Sequence, residues 1–174
     1  MAELPRAPVR RRLLRVAAVL AVVPLAGAGC GFQLRGATEL PFRTFFSSVP
    51  QASQFGGELR RALRTNGATI VERREDAQVR FDLQGEAVER EIAALSTSGR
   101  PREYQLRYRV RWSVKDASET DLIASNEMLL RRSITVLDVQ GIVNPDEEAL
   151  LYRDMRIDAV QQIVRRLGSM KPAS

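Results

Sequence analysis

From Arg102 to Lys115 the chain alternates without a break: Tyr104, Leu106, Tyr108, Val110, Trp112 and Val114 are apolar, while Glu103, Gln105, Arg107, Arg109, Arg111 and Ser113 are polar. Successive side chains of an extended backbone point to opposite faces of a sheet, so this run is a strand with one buried and one wet face. In a helix the same residues would spread around the whole circumference. The chain must therefore build a sheet with one covered face, and must supply what covers it.

The neighbouring segments supply both. Val79, Phe81 and Leu83 begin a second alternating strand, Gly85 interrupts it as a bulge would, and the run resumes through Val88 towards Ile92. Ser96-Thr97-Ser98-Gly99-Arg100-Pro101 between the two runs carries turn residues, so they form a long hairpin. Further strands are expected around Leu122–Val136 and Phe42–Val49. A helix is expected from Gln54 to Thr65, with Phe55, Leu59, Ala62 and Leu63 on one stripe and Asn66-Gly67 as its stop. A second begins at Asn144-Pro145-Asp146-Glu147, where Asn144 can cap, Pro145 suits the first position and Glu147 occupies the capping-box site. Its apolar positions Leu151, Met155, Ala159, Val160, Ile163, Val164 and Leu167 recur at helical spacing. The order strand, helix, three strands, helix predicts an α+β fold, a two-layer sandwich with two helices on one face of a roughly four-stranded sheet. This domain is expected over residues 30–170, with 171–174 as a frayed tail.

The region ahead of the domain has a different character. Arg10-Arg11-Arg12-Leu13-Leu14-Arg15 precedes the apolar run Val16–Ala26, the layout of a secretory signal over residues 1–29. That run is shorter than the roughly 20 residues needed to span a bilayer. Small residues Gly27, Ala28 and Gly29 then lead into Cys30, the sole cysteine. The arrangement resembles the bacterial lipobox, although Gly27 stands where leucine is usual. It implies cleavage before Cys30, with S-diacylglycerol and N-acyl chains attached there; the plainer alternative leaves Cys30 as an ordinary small residue. Several acyl chains, at about 0.8 kcal/mol per buried CH₂, would anchor the chain durably. Gly31 rather than aspartate after the cysteine is similar to lipoproteins exported to the outer membrane.

The leader also explains most of the charge. The net charge is +6, but residues 1–29 hold five arginines against one glutamate, which leaves +2 for the remainder. A nucleic-acid partner suggested by the high isoelectric point loses its basis. There is no histidine, which excludes Ser-His-Asp and Cys-His hydrolases and removes the commonest metal ligand. Asp138, Asp146, Glu147 and Glu148 are better explained by turn and helix-start chemistry than by a metal or acid–base site. No catalytic residue, metal ligand or cofactor is assigned beyond the covalent lipid.

Several segments together resemble one family. Cys30-Gly31-Phe32-Gln33-Leu34-Arg35-Gly36 is similar to the mature start of the LptE lipopolysaccharide-assembly lipoproteins. The likeness continues through Leu59-Arg60-Arg61-Ala62-Leu63, Asn66-Gly67, Glu103-Tyr104-Gln105-Leu106, Asp154-Met155 and Arg165-Arg166-Leu167, in family order. The resemblance implies a non-enzymatic outer-membrane subunit on the periplasmic side, anchored in the inner leaflet. It would plug the LptD β-barrel and help deliver lipopolysaccharide to the cell surface. Two other readings share the anchor: a lipid-anchored module regulating another envelope process, such as a peptidoglycan synthase activator, and a carboxylate- or serine-based envelope hydrolase.

Lipopolysaccharide is a phosphorylated glycolipid, and arginine is the side chain suited to its phosphates. The candidates are Arg100 and Arg102 at the hairpin mouth and Arg107, Arg109 and Arg111 on the wet strand face. The resemblance implies lipopolysaccharide contact near this hairpin. The alternative for the strand arginines is a solvated face paired with carboxylates of a neighbouring strand. Trp112, Tyr104 and Tyr108, on the apolar face, are expected in the core.

Overall fold

The alternating run becomes the centre of a sheet. The computed structural model describes residues 38–136 and 143–170. The expected leader, Cys30, Asp138 and the 171–174 tail lie outside those residues. Five strands are present: β1 (Thr44–Ser47), β2 (Thr69–Ile70), β3 (Val79–Leu95), β4 (Pro101–Asp116) and β5 (Asp121–Thr135). Their order is β2-β1-β3-β4-β5. β1 pairs in parallel with β2 and β3, whereas β3–β4 and β4–β5 are antiparallel. The α+β class agrees with the sequence reading, but the count is five strands, not four. The additional strand, β2, has only two residues, too few to show any periodicity.

Two helices cover the sheet. In α1 (Gln54–Thr65) the Ser53 side chain accepts a hydrogen bond from the Gly56 amide, and Gly67 beyond the end takes φ +86°. Asn66 ties this end down: its amide donates to the Ala62 carbonyl at 2.7 Å, and its oxygen accepts from the Thr38 amide at 2.6 Å. In α2 (Pro145–Gly168) Asn144 caps the Asp146 amide, Pro145 opens the first turn and three acidic residues follow at the positive end of the dipole. Phe55, Leu59 and Leu63 of α1 join Met155, Ala159, Val160, Ile163, Val164 and Leu167 of α2 in a single core with the apolar face of the sheet.

That core is built on β4. Leu106, Tyr108, Val110, Trp112 and Val114 are all completely buried, as the alternation requires. Trp112 stacks on Phe81 with ring centroids 5.6 Å apart at 17°, and Phe81 lies 6.1 Å from Phe45 and 6.2 Å from Phe55. Tyr104, nearer the hairpin mouth, is only half-buried and packs against the core margin.

The bulge expected at Gly85 is present and has consequences. Leu83 pairs with Trp112 and Gly85 with Arg111, so Gln84 is the extra residue. The insertion changes which residues face the helices: Val79, Phe81 and Leu83 before it, then Glu86, Val88, Arg90 and Ile92, paired with Val110, Tyr108, Leu106 and Tyr104. Val88 and Ile92 nevertheless stay 55% exposed. α1 has 12 residues, about 18 Å of helix, whereas β3 has 17, about 56 Å of strand. α1 is much shorter than the hairpin, and the far half of β3 meets α2 at Tyr152 and Glu148.

Candidate functional site

The sheet face opposite the helices carries the strand arginines, and register fixes their partners. On β3 this face holds Glu89 and Glu91, on β4 Arg107, Arg109 and Arg111, and on β5 Glu127, Leu129 and Arg131. Arg107 reaches diagonally to Glu91. Arg109 lies between Glu89 at 3.7 Å and Glu127 at 3.9 Å, and Arg111 meets Glu127 directly across the strands at 3.1 Å. The three arginines expected to contact lipopolysaccharide are thus tied to three carboxylates in a ladder across three strands. Each exposed pair contributes little stability on its own, typically below about 1 kcal/mol. Their joint effect is a polar face whose charges compensate locally.

One cation on this face escapes the ladder. Arg131 sits opposite Arg107, is exposed, and makes no ion pair among the described residues. Sequence reasoning fixed on the regular β4 run and passed over it. The Arg131-Arg132 doublet in β5 was the available signal. Its neighbour Arg132 faces the helix side and pairs with Asp158 of α2 at 2.6 Å.

The hairpin mouth is a separate place. Ser96 closes the turn: its amide donates to the Arg100 carbonyl at 2.7 Å and its hydroxyl accepts from the Arg100 amide at 3.1 Å, with Gly99 at φ +78°. Arg102 is exposed in the first turn of strand beyond it, and its carbonyl accepts from the Val136 amide at 2.9 Å. Five residues of strand, about 17 Å, separate Arg102 from Arg107. The candidate arginines at the mouth and on the strand face therefore do not converge on one pocket. Arg100 and Arg102 mark the mouth, and Arg107 and Arg109 mark the middle of the open face.

A second polar group lies on the helix side, where sequence reasoning placed only apolar residues. The fully buried Tyr108 donates its hydroxyl to Glu86 at 2.7 Å, and the Arg156 guanidinium lies 3.9 Å from the same carboxylate. Burial and the adjacent Glu86 carboxylate push the Tyr108 phenol well above its ordinary range. One turn and two turns up α2, Tyr152 donates to the Glu89 carbonyl at 2.8 Å and Glu148 holds Arg90 at 2.7 Å. Arg90 also lies over the Tyr104 ring, 5.0 Å from its centroid. These contacts fasten α2 to the far half of β3. The missed signal was Glu86 and Arg90, polar at positions the bulge turns inward.

Among the described residues no cluster of His, Cys, Asp and Glu could hold a metal ion, and no helix is long and apolar enough to cross a membrane. Cys30, the expected site of lipid attachment, lies outside the described residues.

The described residues thus form a two-layer α+β sandwich with a polar open face whose charges are largely paired. Comparison with known proteins gives it a family. Residues 42–167 match the family model described as LptE, lipopolysaccharide-assembly. The LPS-assembly lipoprotein LptE of Yersinia enterocolitica is 30% identical over 171 residues, covering 91% of this chain and 76% of that one. The counterpart in a Yersinia pestis strain is 28% identical over 172 residues, 94% of this chain and 79% of the other. Among solved structures, lipoprotein B of Nitrosomonas europaea superposes with a TM-score of 0.68 at 37% identity, over 80% of this chain and 91% of that one. The rare lipoprotein B of Shewanella oneidensis, with a TM-score of 0.64 at 24% identity over 73% and 94%, supports the fold. The chain belongs to the LptE family of lipopolysaccharide-assembly lipoproteins, which are not enzymes.

Proposed function

We propose that this protein is the lipid-anchored partner of the LptD β-barrel, held at the periplasmic side of the outer membrane through acyl chains on Cys30. There it plugs the barrel and assists delivery of lipopolysaccharide. Family membership supplies the context, and the observation that carries the reading is the open sheet face. The lumen of a large outer-membrane barrel is polar. A plug within it needs a surface that is hydrophilic but not strongly charged of one sign. The ladder of Glu91–Arg107, Glu89–Arg109–Glu127 and Glu127–Arg111 has that character.

Direct lipopolysaccharide contact belongs, in this reading, to Arg100 and Arg102 at the hairpin mouth. They lie beside exposed Leu95, which suits a ligand that is anionic at one end and apolar at the other. Arg107 and Arg109 contribute only where a phosphate displaces their carboxylates, a substitution that costs what it gains. A photoreactive amino acid at Leu129, on the open face, tests the plug directly. Irradiation of cells is expected to give an adduct with a large heat-modifiable β-barrel protein. Adducts with soluble periplasmic proteins alone would refute it.

A further inference from the structure

Among the described residues the outer edge of β3 stands open. β1 pairs with β3 only from Val79 to Phe81, with one more bond from the Ser48 amide to the Phe81 carbonyl. No described strand pairs with that side of β3 from Gln84 to Leu95. Among the described residues four large apolar ones are more than half exposed, and three of them lie on this stretch: Val88, Ile92 and Leu95. A long unpaired edge bearing apolar side chains is a template for another strand, and folded proteins normally guard such edges with lysine, proline or a cover. Here there is no lysine or proline in β3, and α2 meets this half of the strand only at Tyr152 on the Glu89 carbonyl and Glu148 on Arg90.

We propose that this edge pairs with the same edge of a second copy, antiparallel and centred on Val88, forming a two-fold dimer in the chain that is not engaged with a barrel. The charges along the edge suit a second copy of it and favour one register. A two-fold axis through Arg90 would set that arginine against itself and Glu89 against Glu91 on the other face. An axis through Glu89 would set glutamate against glutamate. Centring on Val88 instead opposes Val88 to Val88 of the second copy, Glu86 to its Arg90, and Arg90 to its Glu86. On the other face Ala87 then meets Glu89, with no like charges opposed. Opposite charges directly across a strand pair favour it and like charges oppose it. Arg90 can serve both Glu148 of its own helix and a Glu86 across the axis, since a guanidinium has five donors.

The result is one continuous sheet with the helices of both copies on the same face, as an isologous interface requires. The paired stretch, Gln84 to Ile92, is about 30 Å long. Such a contact is small, so the association is weak and yields to a larger interface elsewhere. It covers Val88 and Ile92 while the chain is free. The inference does not depend on the barrel reading, because it concerns the free chain.

The test uses the full chain carrying Cys30→Ser, so that an introduced thiol is the sole one. Sedimentation over a concentration series is expected to show a monomer–dimer equilibrium, weakened about tenfold by Arg90→Glu, which sets two like-charge pairs across the axis. Opposed residues at the centre of an antiparallel pair lie about 5.5 Å apart at Cα, within disulfide reach. Val88→Cys should therefore oxidise to a covalent dimer, whereas Ala93→Cys, exposed on the same strand but far from its own copy, should not. A chain that stays monomeric at every concentration overturns the proposal. So does failure of Val88→Cys to cross-link, or cross-linking of both variants alike.

Discussion

Tyr108 offers the sharpest separation of packing from hydrogen bonding. Its ring is fully buried beneath α2 and its hydroxyl donates to Glu86 at 2.7 Å. Tyr108→Ala empties an aromatic site in the core, which costs about 3–5 kcal/mol. Tyr108→Phe keeps the ring and removes one bond to a carboxylate; with Glu86 30% exposed on its side chain, water replaces part of it, and the loss is about 1–2 kcal/mol. For a domain of this size each kcal/mol shifts the melting temperature by about 3–5 °C. Thermal unfolding should then place Tyr108→Phe about 5 °C below the parent and Tyr108→Ala at least about 10 °C below it. The two variants also differ in alkali. The folded protein raises the Tyr108 phenol, chiefly by burial and then through Glu86, so it favours the protonated form more than the unfolded chain does. That contribution is fully present below the unfolded phenol value of about 10 and is lost as pH rises above it. Tyr108→Phe should therefore lose less stability than the parent between neutral and strongly alkaline pH. Tyr152, also raised, is left to account for what remains. Equal destabilisation by Phe and Ala, or a parent-like melting temperature for Ala, would refute the buried orientation of this face.

Gly56→Ala should destabilise by about 1–3 kcal/mol, because a Cβ there would stand 2.7 Å from Val49 Cγ1 in a well-packed helix start; chemical denaturation measures it. Trp112 is buried with its indole N–H lacking a partner among the described residues. Trp112→Phe should thus cost much less than Trp112→Ala, for which about 3–5 kcal/mol is expected from the same denaturation curves. Arg100→Glu with Arg102→Glu should weaken lipopolysaccharide binding at low salt while leaving the melting temperature within about 2 °C of the parent. Arg111→Ala, which releases only an exposed partner of Glu127, should change neither reading appreciably.

What the sequence made legible follows from the length of each signal. β4 announced itself because its alternation is unbroken, and α2 because Asn144, Pro145 and the apolar stripe agree from end to end. β2 offered two residues and no pattern. The bulge was visible as Gly85 and in the shift of the apolar run to Val88 and Ile92, but two polar residues on that face were not: the extra residue at Gln84 puts Glu86 and Arg90 on the helix side while Glu89 and Glu91 face the arginines. Without that register the strand arginines read equally well as a ligand surface or as a paired face. The structure shows them paired, through contacts between residues 16 to 20 positions apart that no local window contains. Exposure of Val88 and Ile92 was hidden for a different reason. It depends on how far the two helices reach over β3, which is a property of the tertiary arrangement.

Partnership with an outer-membrane barrel is tested by native co-purification. With an affinity tag after Ser174 and expression from the native locus, gentle extraction of membranes should recover the lipid-modified chain together with a large β-barrel protein in equal amounts. Recovery of the chain alone, or with a peptidoglycan synthase or a periplasmic sensor in place of the barrel, would contradict the account.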